Sequence, residues 1–163
     1  MEKWFVINKG ADFAGIAKRF GISPVTARLI RNREVMGDEA IARYLKGGIG
    51  ELYDPHLLLD SDRLTDILVQ KISEQKKIRV IGDYDIDGVM STYILYKGIT
   101  RCGGSVDFQI PDRMKDGYGI NENIIEKAVE DQIDTILTCD NGIAASEAIR
   151  FGKEHGLTMI ITD

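Results

Sequence analysis

Cysteine, proline, histidine and tryptophan are all scarce in this chain of 163 residues, which has two, three, two and one of them. Cys102 and Cys139 cannot build a disulfide framework, and such usage suits a reducing cytosol, so a cytoplasmic location is expected. Neither histidine is expected to bind metal: His56 stands in a linker, and the helix dipole accounts for His155 at a helix end. No apolar run reaches the roughly 18 residues that a membrane helix needs. Met1-Glu2 opens onto a mixed stretch rather than a basic-then-apolar one, so no secretory signal is expected. There is no Gly-x-Gly-x-x-Gly and no P-loop pattern, which removes dinucleotide and P-loop nucleotide binding from consideration. Positive charge is in deficit too, at 21 Lys+Arg against 26 Asp+Glu for a net of −5. That balance argues against an all-over basic nucleic-acid binder but not against a local basic face.

What is present is an ordinary globular composition, 44% hydrophobic and 29% charged, long enough for one domain with a small appendage. The first 50 residues carry nine Lys/Arg against five acids, and the remainder 12 against 21. Residues 1–50 read as a helical N-terminal region, with Ile16, Ala17 and Phe20, then Val25, Leu29 and Ile30, then Ile41, Tyr44 and Leu45 at helical spacings. Gly21-Ile22-Ser23-Pro24 separates the first two helices: Gly ends one, Ser caps the next, and Pro suits its first turn. Residues 51–76 read as a linker followed by an amphipathic helix over 62–75. From Lys77 the pattern changes to short β-rich runs over 77–81, 105–110, 133–138 and 157–162. Helical segments over 89–101, 121–131 and 144–155 separate them. That alternation predicts an α/β fold, a doubly wound parallel sheet with helices on both faces.

The acids sit where such a fold gathers ligands. Arg79-Val80-Ile81-Gly82 runs into Asp83-Tyr84-Asp85-Ile86-Asp87-Gly88, Ile136-Leu137-Thr138-Cys139 into Asp140-Asn141-Gly142, and Ile160-Ile161-Thr162 into Asp163. The carboxyl ends of parallel strands share one edge, so five carboxylates are expected on a single rim. Like charges persist together only when protons or cations neutralise them, and an all-oxygen set favours hard ions such as Mg²⁺ or Mn²⁺. Acids after strands also serve as turn and cap residues. An EF-hand is excluded because its twelfth position, which must be Glu, is Ile94. Asp85-Ile86-Asp87-Gly88-Val89 also resembles the nucleophile motif of haloacid-dehalogenase-like phosphatases, with Asp85 as nucleophile. However, Gly82-Asp83-Tyr84 separates it from the strand.

Pro111 to Gly119 follows the second strand on the same rim. Arg113 can hold phosphate oxygens in a bidentate fork, and Tyr118, between Gly117 and Gly119, is placed to stack a base or sugar. Ser91 and Thr92, near a helix start, can touch phosphate or cap and pack. Residues 16–28 resemble a DNA-binding helix-turn-helix with Arg28, Arg31 and Arg33 along the second helix, which supports a non-catalytic DNA-binding module as the rival class.

Taken in order, Gly82-Asp83-Tyr84-Asp85-Ile86-Asp87-Gly88, Pro111-Asp112-Arg113 with Gly117-Tyr118-Gly119, Asp140-Asn141-Gly142-Ile143 and Ile161-Thr162-Asp163 resemble the successive motifs of the DHH phosphoesterase superfamily. Within it they resemble those of the RecJ single-strand-specific 5′→3′ exonucleases. Tyr53-Asp54-Pro55 and the opening helices resemble that family's N-terminal segment. The resemblance implies a partial DHH domain over 77–163 and two-metal (Mn²⁺ or Mg²⁺) hydrolysis of single-stranded DNA in recombination and repair. It also implies a helicase or single-strand-binding protein as partner. Asp85, Asp87 and Asp140 are then the catalytic metal ligands, Asp140 the bridge, with Asp83 and Asp163 completing or supporting the set. The family motif is Asp-His-His and this sequence stops at Asp163, its first residue. The chain is therefore expected to be an N-terminal fragment with little or no nuclease activity of its own.

Overall fold

The computed structural model describes residues 3, 9–117 and 119–163. The chain forms two compact units, residues 1–57 and 58–163. The first holds three helices, α1 (Phe13–Phe20), α2 (Pro24–Asn32) and α3 (Asp38–Lys46). Their ends are written locally. Asp12 accepts from the Gly15 N–H, Gly21 turns the chain at φ 66°, and Ser23 accepts from the Thr26 N–H ahead of Pro24. These are the oxygen caps and left-handed stop expected for adjoining short helices. Ile16, Ala27, Ile30 and Ile41 form the unit's core, with Phe13, Phe20 and Leu45 against it.

The second unit runs α4 (Ser61–Ser73), β1 (Lys77–Ile81), α5 (Ile86–Arg101), β2 (Ser105–Gln109), α6 (Glu122–Glu130), β3 (Thr135–Thr138), α7 (Ser146–Glu154) and β4 (Thr158–Ile161). All pairs are parallel, in the order β2-β1-β3-β4. Strand side chains alternate between faces, and the core divides accordingly. Ile81, Ile136 and Met159 pack with α6 and α7 residues such as Ile124, Ile125, Ala128 and Ala148. Ile78, Val80, Leu137 and Ile160 pack with Leu64, Ile67, Leu68 and Ile72 of α4 and Leu95 and Ile99 of α5. Helices thus cover both faces, as the alternation of elements predicts. Ahead of each strand one residue turns in the left-handed region, Gln75 (φ 53°), Gly103 (φ 81°), Gln132 (φ 59°) and Gly156 (φ 80°), returning the chain from helix to sheet. Arg79 in β1 faces Asp107 in β2, with Nη2 at 2.6 Å from Asp107 Oδ2 and Nη1 at 2.9 Å from Asp131 Oδ2. A guanidinium this buried is tolerated because both partners meet it.

Most boundaries lie within two residues of the sequence expectation, and the largest difference is at the start of α5. The helix expected to begin at Val89 begins at Ile86, because the Asp85 carboxylate accepts from the Gly88 N–H at 3.0 Å and caps it. The acidic motif is therefore the end of α5 itself, with Asp87 in its first turn.

Candidate metal centre

The strand order reverses direction between β1 and β3, since the chain goes from β1 outward to β2 and then returns to the other side. Such a switch point leaves a crevice beyond the carboxyl ends of the two strands. The register fixes what faces it. Ile81, Thr138 and Ile161 are partners across β1, β3 and β4, and Asp83, Asp140 and Asp163 each follow two residues later. The ladder continues one rung past each strand: the Gly82 N–H donates to Gln109, that of Cys139 to Ile81 at 3.0 Å, and that of Thr162 to Thr138. Three aspartates therefore leave the sheet in one row, on strands spaced about 4.8 Å apart.

Local chemistry completes the cluster. Gly88 sits so close beneath the loop that a Cβ there would lie 2.5 Å from the Asp83 nitrogen and 2.6 Å from its carbonyl oxygen. Only glycine lets the start of α5 close against β1. Asp83 is 1% exposed, and its Oδ1 has no hydrogen-bond partner. Asp140 is half-buried with φ 57°, a left-handed turn that Asp tolerates better than most residues. Desolvation and the carboxylates of Asp85, Asp87 and Asp83 push Asp140 above its ordinary value, with a side-chain hydrogen bond from protonated Asp140 to the Asp85 carboxylate adding to the effect. Asp163 reaches back to the loop after β3, its Oδ2 accepting from the Ile143 N–H at 2.9 Å. Asp87, Asp140 and Asp163 line one cleft of about 550 Å³ with Ser91, Met90 and Ile94. The sites expected from the sequence at Asp83, Asp85, Asp87, Asp140 and Asp163 are thus brought together.

The neighbouring residues divide. Ser91 lines the cleft and donates to the Asp87 carbonyl. Thr92 does not line it and takes the packing role of the two that its position allows. It is 4% exposed, and its hydroxyl lies 3.5 Å from Cys139 Sγ and against Gly82, where it fills space under the loop. Arg113 is exposed, and its guanidinium carbon stands 5.3 Å from the centre of the Tyr84 ring. A residue of the loop after β2 is thereby held over a residue of the acidic motif, a cation–π contact. Gly117 and Gly119 have φ 77° and 68°, and a Cβ on Gly119 would sit 3.6 Å from that of Asn141. Tyr118 lies outside the described residues. Sequence reasoning passed over Tyr84 and Asn141. An aromatic between two acids was a usable signal for the first, whereas nothing local marks the second.

An all-carboxylate donor set, a buried orphan oxygen on Asp83 and an Asp140 carboxyl raised by burial and by its acidic neighbours fit a hard divalent cation. The fit is of chemistry rather than of a finished shell: among the described residues no three His, Cys, Asp or Glu side chains form a ready-made metal cage.

Residues 77–163 match the DHH family, N-terminal domain. The single-stranded-DNA-specific exonuclease RecJ of Bacillus subtilis (strain 168) is 37% identical over 148 residues, covering 91% of this chain and 19% of that protein. The protein of the same name from Haemophilus influenzae is 31% identical over 141 residues, covering 86% of this chain and 24% of its own. A crystal structure of exonuclease RecJ bound to manganese superposes with a TM-score of 0.58 at 36% identity, over 62% of this chain and 26% of that one. The crystal structure of RecJ in complex with Mn²⁺ from Thermus thermophilus gives 0.62 at 24% identity over 93% and 20%, a likeness of fold. The chain spans about a fifth to a quarter of the length of these relatives. With more than half its residues inside the match and its acids on the shared rim, this chain belongs to the DHH family.

Proposed function

We propose that this chain supplies the metal-binding half of the active site of a single-strand-specific 5′→3′ DNA exonuclease that uses two Mn²⁺ or Mg²⁺ ions. The observation that carries the reading is the gathering of Asp83, Asp85 and Asp87 around Asp140, where desolvation first and then their charges raise the latter's affinity for its proton. In this reading Asp85, Asp87 and Asp140 would hold the ions, with Asp140 serving both, and Asp83 would contribute its unpartnered oxygen. Asp163 orients the loop after β3 through Ile143. When bound, such ions polarise phosphoryl oxygens and acidify water. The protein's own part is positional. The row of aspartates fixes the cation pole, Arg113 on Tyr84 presents a fork to phosphate, and Gly117 and Gly119 let the backbone approach closely. Tyr118 stacks a base or sugar, and Ser91 holds the Asp87 carbonyl at the cleft wall. No side-chain nucleophile is required.

The relatives' description as single-stranded-DNA-specific exonucleases supports the substrate. A role in recombination and repair in the cytoplasm, alongside a helicase or single-strand-binding protein, belongs to the same proposal. Among the described residues no helix is long and apolar enough to cross a membrane. Weak cation binding and little DNA turnover by these 163 residues alone belong to the same proposal.

The test is Mn²⁺-dependent digestion of 5′- and 3′-labelled single- and double-stranded oligonucleotides by the longest product of the gene, with Asp140→Ala beside it. Release of nucleotides from the 5′ end of single strands only, abolished in the variant, is expected. Undiminished activity in Asp140→Ala would refute the proposal.

A further inference from the structure

Asn141 is one of the most enclosed polar residues in the molecule, at 1% exposed. Its amide nitrogen donates to the Ile81 carbonyl at 3.1 Å and to the Cys139 carbonyl at 3.0 Å. Ile81 is the last residue of β1, and Cys139 is the first after β3. The same Ile81 oxygen already accepts from the Cys139 N–H, so the side chain adds a second tie at the point where the two strands part. Its carbon skeleton also makes van der Waals contact distance with the position a Gly119 Cβ would take, at the end of the loop after β2. Its Oδ1 has no partner. A buried amide that satisfies two strand-end carbonyls and leaves its own acceptor empty carries the desolvation penalty of that acceptor. A hydrophobic residue of similar volume would fill the space without that penalty.

We infer that Asn141 is a positioning residue that sets the separation of Asp140 from Asp83, Asp85 and Asp87, and through it the affinity for divalent cations, without touching the ion. The reasoning is geometric. Asp140 turns at φ 57°, a conformation that must be held against its strain. The residue on its C-terminal side is anchored to the end of β1, two residues before Asp83. Loosening that anchor frees Asp140 to move from its neighbours, which their mutual repulsion favours. The inference rests on the metal-site reading above.

The experiment is Mn²⁺ titration of the whole chain, by calorimetry and by the electron paramagnetic resonance signal of free Mn²⁺. Native protein, Asn141→Leu, Asn141→Ser and Asp140→Asn are compared, with thermal melts recorded in chelator and in Mn²⁺. Asn141→Leu, near in volume and unable to donate, is expected to bind Mn²⁺ at least tenfold more weakly while melting cooperatively in chelator. Asn141→Ser, which keeps one donor, is expected between it and native. Native affinity in a folded Asn141→Leu overturns the inference. So does loss of the cooperative melt in both Asn141 variants, which would make the residue a support of the core alone. Absence of Mn²⁺ binding by the native chain as well as by Asp140→Asn defeats the metal-site reading itself, and the inference falls with it.

Discussion

The titration of Asp140 carries a consequence for stability. Its carboxyl is raised by desolvation and by Asp85, Asp87 and Asp83, so the folded protein holds that proton more firmly than the unfolded chain does. Between the unfolded and folded values the native state binds more protons, and stability falls as pH rises through that window. Asp140→Asn removes the charge and keeps a side chain that accepts the left-handed turn. In chelator the variant is expected to melt above the native protein at pH 7, with the gain gone below about pH 3, where both forms are neutral. Equal melting at pH 7 would contradict the repulsion. Gly88 makes the complementary case, because a methyl there meets the Asp83 backbone at 2.5–2.6 Å. Gly88→Ala should cost about 1–3 kcal/mol in denaturant unfolding. It should also weaken Mn²⁺ binding, because the loop that carries Asp83 and Asp85 must shift. A variant as stable as native would mean the loop is not packed as described.

Among the elements, the helix-to-strand returns show sequence and conformation in mild conflict. Gln132 takes φ 59° where Gly103 and Gly156 do the same work without a side chain. A left-handed non-glycine residue costs roughly 1–2 kcal/mol, and glycine gives back about 0.5–1 of that as unfolded-state entropy. Gln132→Gly is therefore expected to be neutral to about 1 kcal/mol stabilising in urea unfolding. A loss of more than about 1 kcal/mol would assign Gln132 a contact beyond its turn. Elements with strong local signals were legible in the sequence: the Gly21–Pro24 break, the 77–81 strand and the alternation of helices with strands all follow from periodicity and capping. The start of α5 was not, because Asp-x-Asp-Gly reads as a turn until Asp85 is seen to cap its own helix. For Thr92 the sequence leaves phosphate contact and packing both open, for a related reason. Its position near a helix start suggested anion binding, while the close approach of Gly82 and Cys139 makes it core.

Across the whole molecule, the rim was the most legible feature of the site, since strand-then-acid repeated three times needs only the parallel-sheet rule to become a cluster. What escaped were relationships among residues distant in sequence. Asn141 tied to Ile81, and Arg113 laid over Tyr84, depend on the register and the switch point, which no local pattern encodes. The direct test of the central claim is the pattern of paramagnetic broadening that Mn²⁺ produces in the ¹H–¹⁵N spectrum of the ¹⁵N-labelled chain. At low Mn²⁺, amide signals of residues 82–88, 139–143 and 162–163 are expected to vanish together, while those of 103–105, 132–134 and 155–157 at the opposite end of the sheet persist. Broadening of one of the three acidic segments without the others, or of both ends of the sheet alike, would show that the aspartates do not share an ion.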